Sequence, residues 1–267
     1  MSQFKKTVLA EKLGLARSTL YYHSRLKEKD DRVRPLIEEV MASNPSYGHR
    51  RVAMALGWNH KKARRLMEKF GLEPKLRRGQ KWQKRDDRRL VPTGYQNLVA
   101  NWCPIFPNVV WYADFTYLKV RDAFLYLATV IDGYTKEIIG LAISRRHNLC
   151  LVKGATIDAI THRQTLPRYF HSDQGSEYQS VEHLTLLEQR GVAVSMSRKS
   201  SPWQNGYQES FYSQFKLELG GLNRLTDGEI AEAIYRQIYY YNHLRIHTTL
   251  KMSPRQFYLA TLMDKNV

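Results

Sequence analysis

The order of elements from residue 108 onward constrains this chain's fold more than any other feature. "NVVWYADFTYLKV" (108–120) is rich in β-branched and aromatic residues, as strands are. "AFLYLATVIDGYTKEIIGLAIS" (123–144) reads as two strands joined at Asp132-Gly133, a hairpin signal. A helix over 151–163, a short strand ending at Asp173 and a helix over 180–191 follow. Then come a strand over 192–197, an amphipathic helix over 205–221 and a long helix over 227–247. Three strands followed by alternating helices and strands predict an α/β sheet with an antiparallel start and parallel additions. That order lets the first and fourth strands lie adjacent and parallel.

Two acids interrupt the apolar strands. Asp114 sits between Ala113 and Phe115, and Asp173 ends the apolar run in "FHSDQGSEYQS". Burying a carboxylate costs several kcal/mol unless a cation or hydrogen bonds compensate it. No Lys or Arg lies within four residues of Asp173. If the first and fourth strands pair, these acids stand side by side. Glu209, on the helix after the fifth strand, is the third candidate. Convergent carboxylates repel one another and rise in pKa. Divalent metal resolves the conflict, and an all-oxygen set suits magnesium or manganese. A pair of such ions activates an attacking oxygen and stabilises a leaving one in phosphoryl transfer. Lys216, two helical turns after Glu209, shares its face and is placed to reach a DNA backbone. Asp122 and Asp132 read as turn residues, and Glu177 as a surface or outer partner. His243 and His247 have the helical spacing of two metal ligands, but no third ligand stands close to them in sequence.

The N-terminal third differs in character. The net charge is +17, and residues 1–90 carry 24 Lys and Arg against 10 Asp and Glu. A basic segment of that density faces a polyanion, most commonly nucleic acid. "TVLAEKLGLARSTLYYH" (7–23) puts a glycine turn, Gly14, between two helical stretches, with small Ala10 four residues before it. The same grammar recurs in "RRVAMALGWNHKKARRLMEKFG" with Ala53, Gly57 and Ala63. Two helix-turn-helix units are therefore expected. Arg17, Ser18 and Thr19 in the first, and Lys61, Lys62, Arg64 and Arg65 in the second, are the candidate DNA contacts. Residues 74–89 hold eight cations in 16 positions with no apolar periodicity, a linker in which Arg77 and Arg78 are candidate phosphate contacts. Cys103 and Cys150 have no paired spacing, which argues against a disulfide framework or a cysteine zinc site and fits a reducing compartment. The first residues lack the apolar core of a signal peptide, and no run approaches a membrane span, so a cytoplasmic setting is expected.

The acids have 58 and 35 residues between them, within "ADFTYL", "HSDQGSEY" and "NGYQESFYSQFKLEL". This spacing and its surroundings resemble the DDE transposases and retroviral integrases, most closely the OrfB-type transposases of the IS-three insertion-sequence family. The tail "YYYNHLRIHTTLKMSPRQFY" is similar to that family's closing signature, Tyr-Asn-x2-Arg-x-His-x2-Leu followed by Ser-Pro. "YGHRRVAMAL…ARRLMEKFGL" resembles its helix-turn-helix segment. The resemblance implies an RNase H-like catalytic core, a mixed five-stranded sheet with flanking helices, preceded by all-α helix-turn-helix segments. It implies a metal triad of Asp114, Asp173 and Glu209, and DNA contacts at Lys216 and Asn205. The expected division is helix-turn-helix units at 1–30 and 31–73, a linker at 74–107, the core at 108–220 and a helical extension at 221–267. The implied partners are duplex DNA (the element's terminal repeats and a target), further copies of the chain and an upstream-frame protein. The implied setting is a bacterial cytoplasm, at the nucleoid. The loop "SPWQNGYQES" lacks the Asp that often precedes the Asn in the family, and no His/Cys zinc module precedes the core. A DNA-binding regulator without catalysis and a nuclease that cuts but does not join remain alternatives.

Overall fold

The computed structural model describes residues 6–16, 18–19, 26–75, 94–100, 102–198 and 205–263. A five-stranded sheet carries the molecule. Its strands are β1 (Val110–Val120), β2 (Ala123–Asp132), β3 (Ile138–Ser144), β4 (Tyr169–Ser172) and β5 (Ala193–Met196). Their order across the sheet is β3-β2-β1-β4-β5. β1, β2 and β3 run antiparallel in succession, while β4 joins β1, and β5 joins β4, in parallel. The mixed sheet expected from the sequence is present, with the first and fourth strands adjacent.

Apolar side chains on the two faces of the sheet make two cores. One gathers Trp111, Ala113, Val130 and Phe170 under helix α5 (Leu149–Arg163) and helix α6 (Val181–Glu188). The other gathers Leu127, Ile131 and Leu118 under helix α7 (Gly206–Leu219) and helix α8 (Asp227–Tyr239). α5 sits so close to β3 that a Cβ at Gly140 would meet the Ala155 carbonyl oxygen at 2.2 Å. The β2–β3 connection is longer than the two-residue turn suggested by Asp132-Gly133. Asp132 ends β2, and its buried carboxylate accepts backbone N–H groups from Asn108, Tyr134 and Thr135, which organises the turn.

Helices α1 (Lys6–Lys12), α2 (Leu26–Ser43), α3 (His49–Leu56) and α4 (His60–Phe70) precede the sheet. α3 ends at Gly57 in the left-handed conformation (φ 65°), and α4 begins with the Asn59 side chain accepting the Lys61 N–H. Their apolar faces bury Ile37, Val52, Ala63 and Leu66 together, so the glycine-turn grammar of the second unit is realised. α2 runs through residue 30, where the sequence suggested a boundary. No glycine interrupts it there, and Asp30 accepts both nitrogens of the Arg65 fork and the Lys69 ammonium, tying α2 to α4.

Two connections bind the ends of the chain to the sheet. Residues 94–100, read as linker, lie along β5, where the Leu98 N–H donates to Ser195 Oγ and Val99 packs on Val110 and Tyr112. The helical unit docks on the C-terminal segment. The Tyr47 hydroxyl accepts the Ile246 N–H at 2.6 Å, the Tyr240 hydroxyl donates to Asn44, and Ser46 bonds Glu218. The long helix expected over 227–247 stops early. After Tyr239 the chain makes a π-helical turn, Tyr240–Leu244, and is extended at Arg245 before helix α9 (Pro254–Met263). Among the described residues no helix is long and apolar enough to cross a membrane.

Candidate active site

β1 and β4 pair in register through Tyr112 and His171. Asp114 lies two residues further on within β1, and Asp173 follows directly after β4, near enough for its charge to act on Asp114. This follows from the sheet order. The β1–β4 pairing stops at Tyr112 and His171, so both acids stand where the parallel pair opens at the carboxyl end of β4, a place where α/β sheets carry their sites.

The third acid is brought in by α7. Gln208, immediately before Glu209, is fully buried and donates from Nε2 to the backbone carbonyls of Tyr112 and Thr129. Its Oε1 accepts the Thr129 hydroxyl. One turn later the Tyr212 hydroxyl donates to the Asp114 carbonyl at 2.7 Å. Asn205, just before the helix, donates to the Ala113 carbonyl at 3.2 Å. Three side chains therefore clamp the first turns of α7 onto the stretch of β1 that carries Asp114. Asn205, expected at the DNA, is instead 4% exposed and turned into the sheet; it positions α7. Gln208 and Tyr212 were not singled out in the sequence. Their places one before and three after Glu209 are the signal that could have found them.

The electrostatics follow from this packing. Burial, then the neighbouring Asp173 charge, push the Asp114 carboxyl up to about 8, and Glu209 adds to the push. Burial raises Asp173 as well, against the Gly175 N–H that its Oδ1 accepts at 2.9 Å. Glu209 is raised by burial alone. None of the three forms an ion pair with a described residue. Asp114 Oδ1 accepts the N–H of the next residue in β1, Phe115, so each aspartate has one oxygen held by a nearby main-chain N–H. Lys216 lies on the same face, its Nζ 4.8 Å from the Tyr117 ring centre and close enough to Asp114 to pull its pKa down slightly. Of the two readings of Glu177, surface residue or outer partner, the structure favours the outer partner. Burial pushes its carboxyl up, but bonds from His147 and Ser176 outweigh that and hold it below its usual range. Its charge reaches Asp173.

Oxygen donors alone, on three carboxylates that form no ion pair with a described residue, are the donor set of a hard divalent cation. The residues fit such an ion chemically. Among the described residues no three His, Cys, Asp or Glu groups are gathered closely enough to hold one. The histidine pair suggested by helical spacing is also separated. His243 stacks on Tyr239 within the π turn, while His247 lies beyond the extended residue Arg245.

The candidate DNA contacts are distributed as follows. Lys61, Lys62, Arg64 and Arg65 lie on the exposed face of α4. Lys62 covers the Trp58 ring at 3.8 Å, and Arg64 pairs with Glu68. Arg65 is committed to Asp30, so its fork serves the helical unit itself rather than a partner. Ser18 and Thr19 form a short exposed turn after Gly14. Arg17, Arg77 and Arg78 lie outside the described residues.

Comparison with known proteins bears on this geometry. Two models described as integrase core domain match residues 106–202 and 190–254. The transposase for insertion sequence element IS904 of Lactococcus lactis is 34% identical over 205 residues, covering 74% of this chain and 80% of that protein. The InsK protein of element IS150 of Escherichia coli K12 is 30% identical over 268 residues, covering 94% of this chain and 92% of InsK. Among solved structures, a simian T-cell lymphotropic virus intasome superposes with a TM-score of 0.52 at 15% identity, covering 83% of this chain and 74% of that one. The fold is accordingly the RNase H-like one of retroviral integrase cores.

Proposed function

This chain belongs to the DDE transposases of insertion sequences, polynucleotidyl transferases with an integrase-like core, and from that membership we propose that Asp114, Asp173 and Glu209 are its catalytic triad. One observation carries the reading. Asp114, inside β1, and Asp173, directly after the neighbouring parallel strand β4, are close enough that the charge of Asp173 raises Asp114; α7, which bears the third acid, is clamped to the same stretch of β1, and no described cation forms an ion pair with any of them. We read the three as the ligands of a pair of magnesium or manganese ions. Bound there, the metal supplies Lewis acidity to an attacking and a leaving oxygen in phosphoryl transfer.

The chain's own residues prepare that reaction. The Phe115 and Gly175 N–H groups each hold one carboxylate oxygen, of Asp114 and Asp173 respectively. Gln208 and Tyr212 fix Glu209 relative to β1. Lys216, on the same helix face, is read as a contact to the phosphate backbone beside the reacting group. Lys61, Lys62 and Arg64 are read as contacts of the second helical unit to the element's terminal repeats. The reaction is two in-line displacements. Water attacks a phosphodiester at the element's end, and the 3′ oxygen leaves as a hydroxyl. That hydroxyl then attacks a phosphodiester of the other end or of a target. No protein nucleophile is required, and Ser172 and Tyr178, each 1% exposed, are shut away from such a role. Assembly of several copies on paired ends, and fusion to an upstream-frame protein, complete the proposal by analogy with the family.

The test is incubation of the full chain with labelled duplexes carrying the element's own ends and manganese. Cut and joined strands are expected. Asp173→Asn should lower both products by at least about 100-fold, since even outer partners of metal ligands cost 10- to 100-fold. Full activity in that variant would remove the triad, and cutting without joining would favour a simple nuclease.

A further inference from the structure

Beyond the triad, the molecule holds a second concentration of charge. A cavity of about 100 Å³ lies where α3, the β2–β3 turn, α7 and the segment after the π turn meet. It is lined by Arg51, Lys136, Arg245 and His247, with Tyr207 and Tyr241 as aromatic walls. Its α7 wall is a single stripe that includes Tyr207. Glu209, two residues on, points about 200° around the helix from that stripe. Among the described residues no carboxylate lines the cavity.

We propose that this cavity is a phosphate-binding site, taking one phosphate oxyanion between Arg51, Lys136 and Arg245. Four observations support it. First, two of its donors are unspent, while the Lys136 ammonium donates to the Gly133 carbonyl and lies over the Tyr207 ring and Arg245 Nε pairs with Glu218. Arg51 Nε and His247 Nδ1 are buried with no hydrogen-bond partner, and no described residue forms an ion pair with Arg51. Orphaned buried donors are costly, and charged ones more so. Second, the carboxylates that reach these cations are committed elsewhere. Glu218 serves Ser46, Gln214 and Gln237 as well as Arg245, and Asp132 serves the turn's N–H groups. Third, the cations strain one another. Burial, then Arg245, pull the Arg51 guanidinium below its ordinary range. Burial brings Lys136 down to about 8. His247 is held down to about 4 by burial and then by Arg245, Lys136 and Arg51, so its ring is neutral and can donate a hydrogen bond. A bound oxyanion relieves all of these at once. Fourth, the space suits the ligand: it equals about three waters' share of liquid. Arg and Lys donors converging on such a space are the usual recognition of a tetrahedral oxyanion.

The phosphate can be one borne by a DNA strand or a free one, and only the first source rests on the transposase reading. The experiment has two arms. In the first, inorganic phosphate is titrated into the full chain at constant ionic strength, with melting temperature and heat of binding as readouts. Wild type should show a saturable rise. Arg51→Gln and Lys136→Met, from different elements, should each weaken binding at least tenfold, and Lys136→Arg should restore it. Asp173→Asn should bind phosphate as wild type does, which separates this site from the triad. Absence of binding to wild type up to roughly 10 mM, or equal binding by both variants while their melts remain cooperative, overturns the proposal. In the second arm, the salt dependence of duplex binding is measured. A slope smaller by about one in Arg51→Gln identifies the DNA backbone as the source. An unchanged slope, with phosphate binding lost, identifies the free anion.

Discussion

At the scale of single residues, Asp114 does the most to shape behaviour. Its carboxyl ordinarily titrates near 3.8 and is pushed up to about 8 in the fold, by burial and then by Asp173. Between these values the unfolded chain has released a proton that the folded, metal-free chain still holds. Folding is therefore favoured at low pH by this group and weakened as pH rises toward 8. In chelator, the wild-type melting temperature should fall from pH 5 to pH 8. Asp114→Asn should flatten that fall and melt at least about 3 °C higher than wild type at pH 8. Added magnesium should raise the wild type and leave the variant unmoved. Identical pH profiles for the two proteins in chelator would place the titrating group elsewhere.

At the scale of elements, β3 and α5 pack against each other closely at Gly140. A methyl group at Gly140 would meet the Ala155 carbonyl oxygen at 2.2 Å, the Ala159 Cβ at 2.8 Å and the Ala159 nitrogen at 2.9 Å. Two of these are backbone atoms that cannot swing aside. Gly140→Ala should cost about 3 kcal/mol, the upper part of the usual overpacking range, and denaturant melts will read it. A loss below about 0.5 kcal/mol would mean that α5 rides more loosely on the sheet. The strands themselves were legible because β-branched and aromatic runs are local, and the bare acids Asp114 and Asp173 marked two strands that had to pair. The positioning of α7 was not legible. Gln208 and Asn205 look like surface amides until the carbonyls of Tyr112 and Ala113 are known to lie beneath them. The end of α8 was also missed. Nothing in "YYYNHLRIH" breaks a helix, but Asn242 bonds the main chain of Ile138 in both directions, which holds the π turn in place.

At the scale of the whole molecule, the helical unit and the catalytic sheet are one structure. Asn44, Ser46 and Tyr47 bond Tyr240, Glu218 and Ile246, and Ile246 packs among the apolar residues of the helical unit. Removing residues 1–75 breaks three hydrogen bonds worth about 1 kcal/mol each. By that measure the remaining chain should melt roughly 6–12 °C lower in calorimetry. A deletion that melts with the full chain would show two independent halves. This dependence could not be read from "SYGHRRVAM", because the partners of Tyr47 are remote in sequence and no local pattern announces them. The same remoteness has a bearing on birth at the ribosome. Tyr47 and Ile246 are 199 positions apart, and at 5–20 residues per second roughly 10–40 s pass between their syntheses. For that interval a nascent chain displays an unfinished surface at Tyr47, open to chaperones and to the matching tail of a finished sister molecule. The latch is thus a point at which newly made copies can exchange ends.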